Sequence, residues 1–342
     1  MEIDARLMDR AISLAKMGYP SPNPMVGAVI IDDQGEIVGE GYHLRAGLPH
    51  AEIEALREAR GKGSALYVTL EPCCHYGRTP PCTQAIIGSG IKRVAVGVKD
   101  PNPKVNGRGI KLLKERGIEV VEAREVDREL EERCRRLNEI YFKHVQTNEP
   151  FVLLKMALTL NGCIKTGERY ISSRGGLRYV HELRKRYDAV MIGANTLRED
   201  DPELTIRYVD PQWRDPYKII ITRNTSNLPK EAKIWKEEKV LVVCSKNDGN
   251  VKEAMVFGGD EVELREAMGE LGKMGITGVI IEGGEILAKR AIEEGVVDKC
   301  AFLISPKLRE GRFLHLDLDL EMHRFYKVGE DLVFEGYVHR DS

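Results

Sequence analysis

At 342 residues the chain is longer than one hydrophobic core usually serves, so two domains are expected. Its 52 Lys and Arg are balanced by 54 Asp and Glu, and 42% of its residues are hydrophobic, which excludes a disordered chain and offers no basic stripe for nucleic acid. No apolar run approaches the ~20 residues of a membrane span, and the first twenty residues mix charged with apolar side chains, unlike a secretion signal.

In chain order, residues 5–17 place Leu7, Ala11, Leu14 and Ala15 at helical spacing, with Asp4 as N-cap and Gly18 and Pro20 as stops. Residues 26–32 and 36–42 read as strands around a turn at 33–35. Helix and strand then alternate: helix 51–60, strand 65–70, helix 83–87, strand 93–98, helix 109–116 and strand 118–121. This alternation predicts a mixed sheet with helices on its faces. A single long charged helix is predicted over 127–146, ending before Pro150. The domain boundary is set there, giving domains 1–147 and 148–342. Beyond it, strands are predicted at 151–158, 189–192, 218–222, 239–244, 278–281 and 299–304, making a second α/β unit. No internal repeat relates the halves, so they are expected to differ in fold.

Seven cysteines is an odd number for a disulfide framework, and three of them, Cys73, Cys74 and Cys82, crowd together. Reduced thiols and a cytoplasmic location are expected. Pro49-His50-Ala51-Glu52 opens a predicted helix, Glu71-Pro72-Cys73 closes a strand, and Pro81-Cys82 follows. The prolines point to helix starts, where thiolates are stabilised. One imidazole and two thiolates make three ligands for zinc and leave a fourth position for water, the arrangement of a catalytic site. Glu52, two residues from His50, need not ligate and can move protons as general acid and base. His-x-Glu followed by paired cysteines is the signature of zinc nucleobase deaminases. Cys82 lies nine positions after Cys73, however, because CHYGRTPP is inserted. Cys74 as a fourth ligand would give a closed, structural site instead. A nucleoside or tRNA deaminase with an unrelated appended domain, and a structural zinc module for interactions, also stay open on these residues.

The strings PNPMVGAVI, GYHLRAGLPHAE and TLEPCCHYGRTPPC, followed by VLLKMALTLNG, GANTLREDDPELTIR and IIEGGEILA, resemble the bifunctional deaminase/reductase family of riboflavin biosynthesis over nearly the whole chain. The resemblance implies an N-terminal cytidine-deaminase-like three-layer αβα domain and a C-terminal dihydrofolate-reductase-like α/β domain. It implies zinc-dependent deamination of 2,5-diamino-6-(5-phosphoribosylamino)pyrimidin-4(3H)-one, then NADPH-dependent reduction of the ribosyl side chain to ribityl. Asn23 and His43 match positions lining the pyrimidine pocket, and His75, Arg78 and Thr79 in the inserted loop could hold the substrate phosphate. The loop could equally be an exposed turn. No partner of nucleic acid or membrane is expected; a homo-oligomer is compatible with the chain.

The second half lacks Gly-x-Gly-x-x-Gly after a strand, so the candidate phosphate cradle is Gly283-Gly284 at the start of a helix over 286–292. By resemblance Ala157, Tyr170, Thr196, Asp200 and the run Gly283, Gly284, Glu285, Ile286, Leu287 fall at nicotinamide-cofactor positions. Glu168, Arg184, Leu204, Arg207 and Glu282 fall at substrate positions, with the two arginines as phosphate clamps. Lys155 and Asn161 sit near the cofactor in such a fold, and Asn161 stands where the family commonly has Asp. No basic residue is identified for the 2′-phosphate that separates NADPH from NADH.

Overall fold

The alternating runs form two separate units, Met1–Thr147 and Asn148–Ser342, in the computed structural model, which describes residues 3–77, 80–168, 170–209, 215–249, 251 and 253–339.

In the first unit the elements are α1 (Ala5–Ala15), β1 (Gly27–Ile31), β2 (Ile37–Tyr42), α2 (Ala51–Ala59), β3 (Ala65–Leu70), α3 (Cys82–Gly88), β4 (Arg93–Val98), α4 (Arg108–Glu115), β5 (Glu119–Glu122), α5 (Ala123–Val126), α6 (Arg128–Leu137) and α7 (Glu139–Thr147). Among the described residues they build a five-stranded sheet in the order β2-β1-β3-β4-β5. Strands β3, β4 and β5 run parallel, while β1 is antiparallel to both of its neighbours. Two glycines show how the layers stack. A Cβ on Gly27 would stand 1.9 Å from the Ala11 carbonyl of α1, and one on Gly41 would stand 2.2 Å from the Ala51 carbonyl of α2. Gly41 pairs with Ala28, the neighbour of Gly27, so the two glycines face opposite sides of the sheet and α1 and α2 cover different faces. The result is the expected three layers, and the absent side chain of Gly41 lets the start of α2 settle on β2. Fully buried Ile30, Leu66 and Leu113 anchor the core, each contributing about 1.5–3 kcal/mol.

The single helix predicted over 127–146 is instead three segments. Asp127 adopts extended backbone and its carboxylate accepts from the N–H groups of Glu129 and Leu130, starting α6 afresh. Asn138 breaks the run again because its amide is engaged elsewhere: Oδ1 accepts from Met25 N–H at 2.7 Å and Nδ2 donates to Met25 C=O at 2.9 Å. Charge periodicity alone cannot reveal such a tertiary bond.

The second unit contains β6 (Phe151–Thr159), β7 (Cys163–Lys165), α8 (Arg174–Arg186), β8 (Ala189–Gly193), α9 (Ala194–Asp200), β9 (Tyr217–Asn224), β10 (Val240–Lys246), β11 (Ala254–Val256), α10 (Leu264–Lys273), β12 (Gly278–Glu282), α11 (Glu285–Glu293), β13 (Lys299–Ser305), β14 (Arg312–Phe313), β15 (Leu320–Val328) and β16 (Asp331–Val338). Its main sheet, nine strands among the described residues, has the order β11-β10-β9-β8-β12-β6-β13-β16-β15. The strands from β11 to β13 are parallel, and β16 and β15 close the sheet as an antiparallel hairpin. The apolar centres of β6, β8, β9 and β12 are wholly buried, as befits strands covered on both faces.

Candidate active sites

Both units gather their polar side chains at the carboxyl ends of parallel strands, where open α/β sheets bind ligands. In the first, His50 occupies the N-cap position of α2 in extended backbone, and its side chain does not cap the helix. Its Nδ1 lies 3.2 Å from Cys82 Sγ and 3.6 Å from Cys73 Sγ. Cys73 follows β3 and Cys82 is the first residue of α3. Neither proline lies inside a first turn: Pro81 is the N-cap of α3 and Pro49 precedes the N-cap His50. Ligand atoms around one tetrahedral zinc would stand about 3.5 Å apart, given metal bonds of about 2.0–2.3 Å, so the observed separations fit this ion. The soft nitrogen and sulfur donors fit it too. Cys74 is not in the group; its Sγ points to the Lys104 carbonyl at 3.8 Å, so a closed four-ligand site is not formed.

The two ligand sulfurs share a proton between them. Hydrogen bonding from Cys82 pushes the Cys73 thiol down to about 4, and the same bond pushes Cys82 up. A divalent cation would release the remaining proton. Glu52 is 3% exposed. Burial, helped by the negative Cys73, pushes its carboxyl up to about 7.

These groups open into a cavity of ≈ 430 Å³ that Asn23, His43 and His75 also line. His43 Nδ1 lies 3.0 Å from the Pro49 carbonyl and Nε2 lies 3.0 Å from Asn23 Nδ2. The carbonyl accepts only, so the network assigns the proton to Nδ1 and makes Nε2 the acceptor from the amide. Burial lowers the imidazole's pKa, which keeps it in this neutral form. His75 Nδ1 is buried without a hydrogen-bond partner among the described residues. Arg78 and Thr79 lie outside the described residues.

Several lining residues escaped the sequence reading. Asp100 and Asn102 follow β4, beside the end of β3, and Tyr141 and His144 come from α7. Burial pushes Asp100 up to about 6, and it accepts from Tyr141 Oη at 3.2 Å. The turn Asp100-Pro101-Asn102-Pro103 after a predicted strand was the available signal; Tyr141 gave none. Glu71 stands behind this wall. Its carboxylate accepts from the backbone N–H groups of Asp100, Gly107, Gly109 and Ile110 at 2.8–3.3 Å.

In the second unit the centre is a buried charge cluster. Arg184 on α8 donates through Nε and Nη2 to both oxygens of Glu282, at 2.7 and 3.0 Å, and through Nη1 to the Thr205 carbonyl at 2.9 Å. Lys155, the register partner of Glu282 on β6, puts Nζ 3.7 Å from it. Burial works to raise Glu282, but Arg184 and Lys155 overrule it and hold the carboxyl at about 2. Arg184 is therefore occupied as a fork for a carboxylate. Arg207 donates to Thr205 Oγ1 at 3.1 Å and pairs with Glu203, while its backbone N–H donates to His181 Nδ1 at 3.0 Å. Leu204 is 3% exposed at φ 56°, so its side chain belongs to the core and only its backbone can meet a ligand.

A cavity of ≈ 550 Å³ opens at the ends of β8 and β9 and the start of α11. Of the predicted cofactor residues, Thr196, Gly284, Glu285, Ile286 and Leu287 line it; Ala157, Tyr170, Asp200 and Gly283 do not. Gly284 N–H donates to Thr196 Oγ1 at 3.1 Å, tying the starts of α9 and α11 together. Asp200 ends α9, 3.8 Å from Lys165. Arg198, Arg223, Arg290 and Arg312 also line the cavity, with Ile221, Val262 and Leu287 as apolar wall. Cations beside apolar surface suit a dinucleotide. Glu168 stands apart from the cavity, accepting from Arg309 Nε at 2.7 Å and Lys307 Nζ at 3.0 Å. Asn161 clamps the same segment: Nδ2 donates to the Arg309 carbonyl at 2.9 Å and Oδ1 accepts from Arg309 N–H at 3.1 Å.

A zinc-dependent hydrolytic deaminase joined to an NADPH-dependent reductase accounts for both edges. Residues 1–98 match the cytidine and deoxycytidylate deaminase zinc-binding region, and residues 150–333 match the RibD C-terminal domain. The riboflavin biosynthesis protein RibD of Aquifex aeolicus is 39% identical, over 97% of this chain and 98% of its own. A crystal structure of a diaminohydroxyphosphoribosylaminopyrimidine deaminase/5-amino-6-(5-phosphoribosylamino)uracil reductase from Thermotoga maritima superposes with a TM-score of 0.86 at 33% identity, covering 98% of each chain. Acinetobacter baumannii RibD gives 0.85 at 31%, again over 98% of each. The chain belongs to the RibD family of bifunctional riboflavin-biosynthesis enzymes, and acts on a pyrimidine substrate as both deaminase and reductase. Among the described residues no helix is long and apolar enough to cross a membrane.

Proposed function

We propose that the unit Met1–Thr147 deaminates 2,5-diamino-6-(5-phosphoribosylamino)pyrimidin-4(3H)-one, and that Asn148–Ser342 reduces the ribosyl chain of the product to give 5-amino-6-(5-phosphoribitylamino)uracil. The observation that carries the first half is the meeting of His50, Cys73 and Cys82 beside a buried Glu52. Zinc held by those three residues supplies an acidified water as nucleophile near neutral pH. Glu52 takes a proton from the nucleophile and passes protons to the ring nitrogen and the departing ammonia; a carboxyl near 7 suits both directions. Asn23, its amide oriented by His43, presents Oδ1 to the ring edge. His75, with a buried nitrogen in want of a partner, serves the phosphate together with Arg78.

In the second unit NADPH supplies the hydride. Glu282 keeps its negative charge against the ribose hydroxyls, with Arg184 and Lys155 fixing its position. Arg207 serves the phosphate, and Glu168 holds the Lys307 to Arg309 segment beside the substrate. Ala157, Tyr170 and Asp200 flank the cofactor, and the start of α11 takes its diphosphate. The formal balance of charge supports a small-molecule substrate over nucleic acid, and free cysteines suit the cytoplasm.

The test is to incubate the purified chain with the diaminopyrimidinone phosphate and follow product mass. Without NADPH, exchange of one amino group for oxygen is expected; with it, a further gain of two hydrogens. An unchanged mass in both conditions, with zinc supplied, rejects the proposal.

A further inference from the structure

Strands β6, β12, β8 and β9 are parallel neighbours, so their carboxyl ends form one edge about 14 Å long at ordinary strand spacing. Lys155 of β6 and Glu282 of β12 mark one end of it. At the other, β9 outruns β8: Gly193, the last residue of β8, is level with Ile221, and Thr222 and Arg223 project beyond. The ≈ 550 Å³ cavity runs from Gly193 and Gly284 to these two residues. A dinucleotide with its nicotinamide beside Glu282 and its diphosphate at the start of α11 has one direction left for its adenosine, towards β9. Ile221, Val262 and Leu287 offer the apolar surface a purine needs there.

The arginines around this cavity are not equivalent. Arg290 is held by the Val262 carbonyl at 2.6 Å and Glu294 at 3.0 Å, and Arg198 by the Asn227 carbonyl at 2.8 Å and by Asn195. Arg312 belongs to β14, which pairs with β7, the strand that follows β6, and so serves the opposite end. Arg223 is held by Asp260 at 2.9 Å, in a pair whose side chains are 65% and 96% exposed. Water screens such a pair strongly, and a phosphate carrying close to two charges displaces it readily.

We propose that Arg223 is the residue by which this enzyme selects NADPH over NADH, its guanidinium receiving the 2′-phosphate at the end of β9. The inference rests on the reductase reading of Asn148–Ser342. It is tested by titrating the full chain with NADPH, NADH and 2′,5′-ADP and following nicotinamide or protein fluorescence. The native chain should prefer NADPH. In Arg223→Ala, NADPH and 2′,5′-ADP should bind about 10- to 100-fold more weakly, the scale of a lost charge-assisted fork, with NADH within about 2-fold of native. Unchanged NADPH binding, or equal weakening of NADPH and NADH, overturns the assignment while leaving the reductase in place. A native chain that binds neither nucleotide overturns the reductase reading and this assignment with it.

Discussion

Glu52 and Glu282 are the same residue in similar burial, each at the edge of its own sheet, yet their surroundings drive them apart. Glu52 has no guanidinium or ammonium against it, and desolvation with the nearby Cys73 charge takes it up to about 7. Glu282 suffers the same desolvation but meets Arg184 and Lys155, and ends at about 2. Burial alone thus makes a proton carrier, and burial with paired cations makes a fixed anion. Which role a buried carboxylate takes is decided by the neighbours.

The largest effect that could break this contrast is chemical. Glu52→Gln keeps the shape but cannot move protons, so deamination should fall about 10²- to 10⁴-fold. Reduction of pre-deaminated substrate should continue at the native rate. If both activities fell together in a two-substrate assay, the two carboxylates would not be serving separate sites.

Next in size is stability. Glu282→Gln leaves Arg184 and Lys155 buried against an amide, and removing one partner of such a pair costs about 3–5 kcal/mol. Calorimetry should show a lower Tm for the second unit. Because the folded carboxyl lies at about 2 against an ordinary 4.5, its contribution of about 3 kcal/mol is complete above 4.5 and lost as pH falls from 4.5 through about 2. Glu52 has the opposite sign. Its folded pKa is raised, so the metal-stripped first unit should lose stability as pH rises from 4.5 through about 7. Glu52→Gln should flatten the upper slope and Glu282→Gln the lower one; a common slope in the two units would erase the distinction.

The smallest effect concerns Asn161. Asn161→Asp removes the donor to the Arg309 carbonyl and turns an oxygen towards it, for about 0.5–1.5 kcal/mol at an exposed position. A shift in denaturant midpoint confined to the second unit is expected. No shift would show that the clamp on Arg309 adds nothing to the second unit.

The contrast also explains what could be read in advance. His50, Glu52, Cys73 and Cys82 come from two short segments whose spacing is itself the chemistry, so the metal site was legible. Arg184, Lys155, Glu282 and Thr205 arrive from α8, β6, β12 and the chain after α9, and only topology brings them together. Resemblance supplied their positions without revealing that Arg184 is already joined to Glu282. The alternation of helix and strand in the first unit was legible because buried strands such as β3 and β4 are continuous apolar runs. The hairpin of β15 and β16 was not: it carries Arg324, Glu335 and other charges on strands that read as polar. Glu335 is buried against Tyr179 at 2.8 Å and Lys299 at 3.2 Å, a tertiary arrangement no local pattern announces.

Glu71 holds one wall of the deaminase pocket through backbone amides at four positions of a neighbouring segment. The side chains between Asp100 and Gly107 are thereby released from the task of keeping their own loop in shape. Over evolutionary time that segment can exchange residues such as Lys99, Lys104 and Val105 and try new contacts with a ligand while its path through space is inherited from one distant glutamate. The boundary of what may vary is set at Gly109, where a Cβ would strike the Pro72 carbonyl at 2.2 Å.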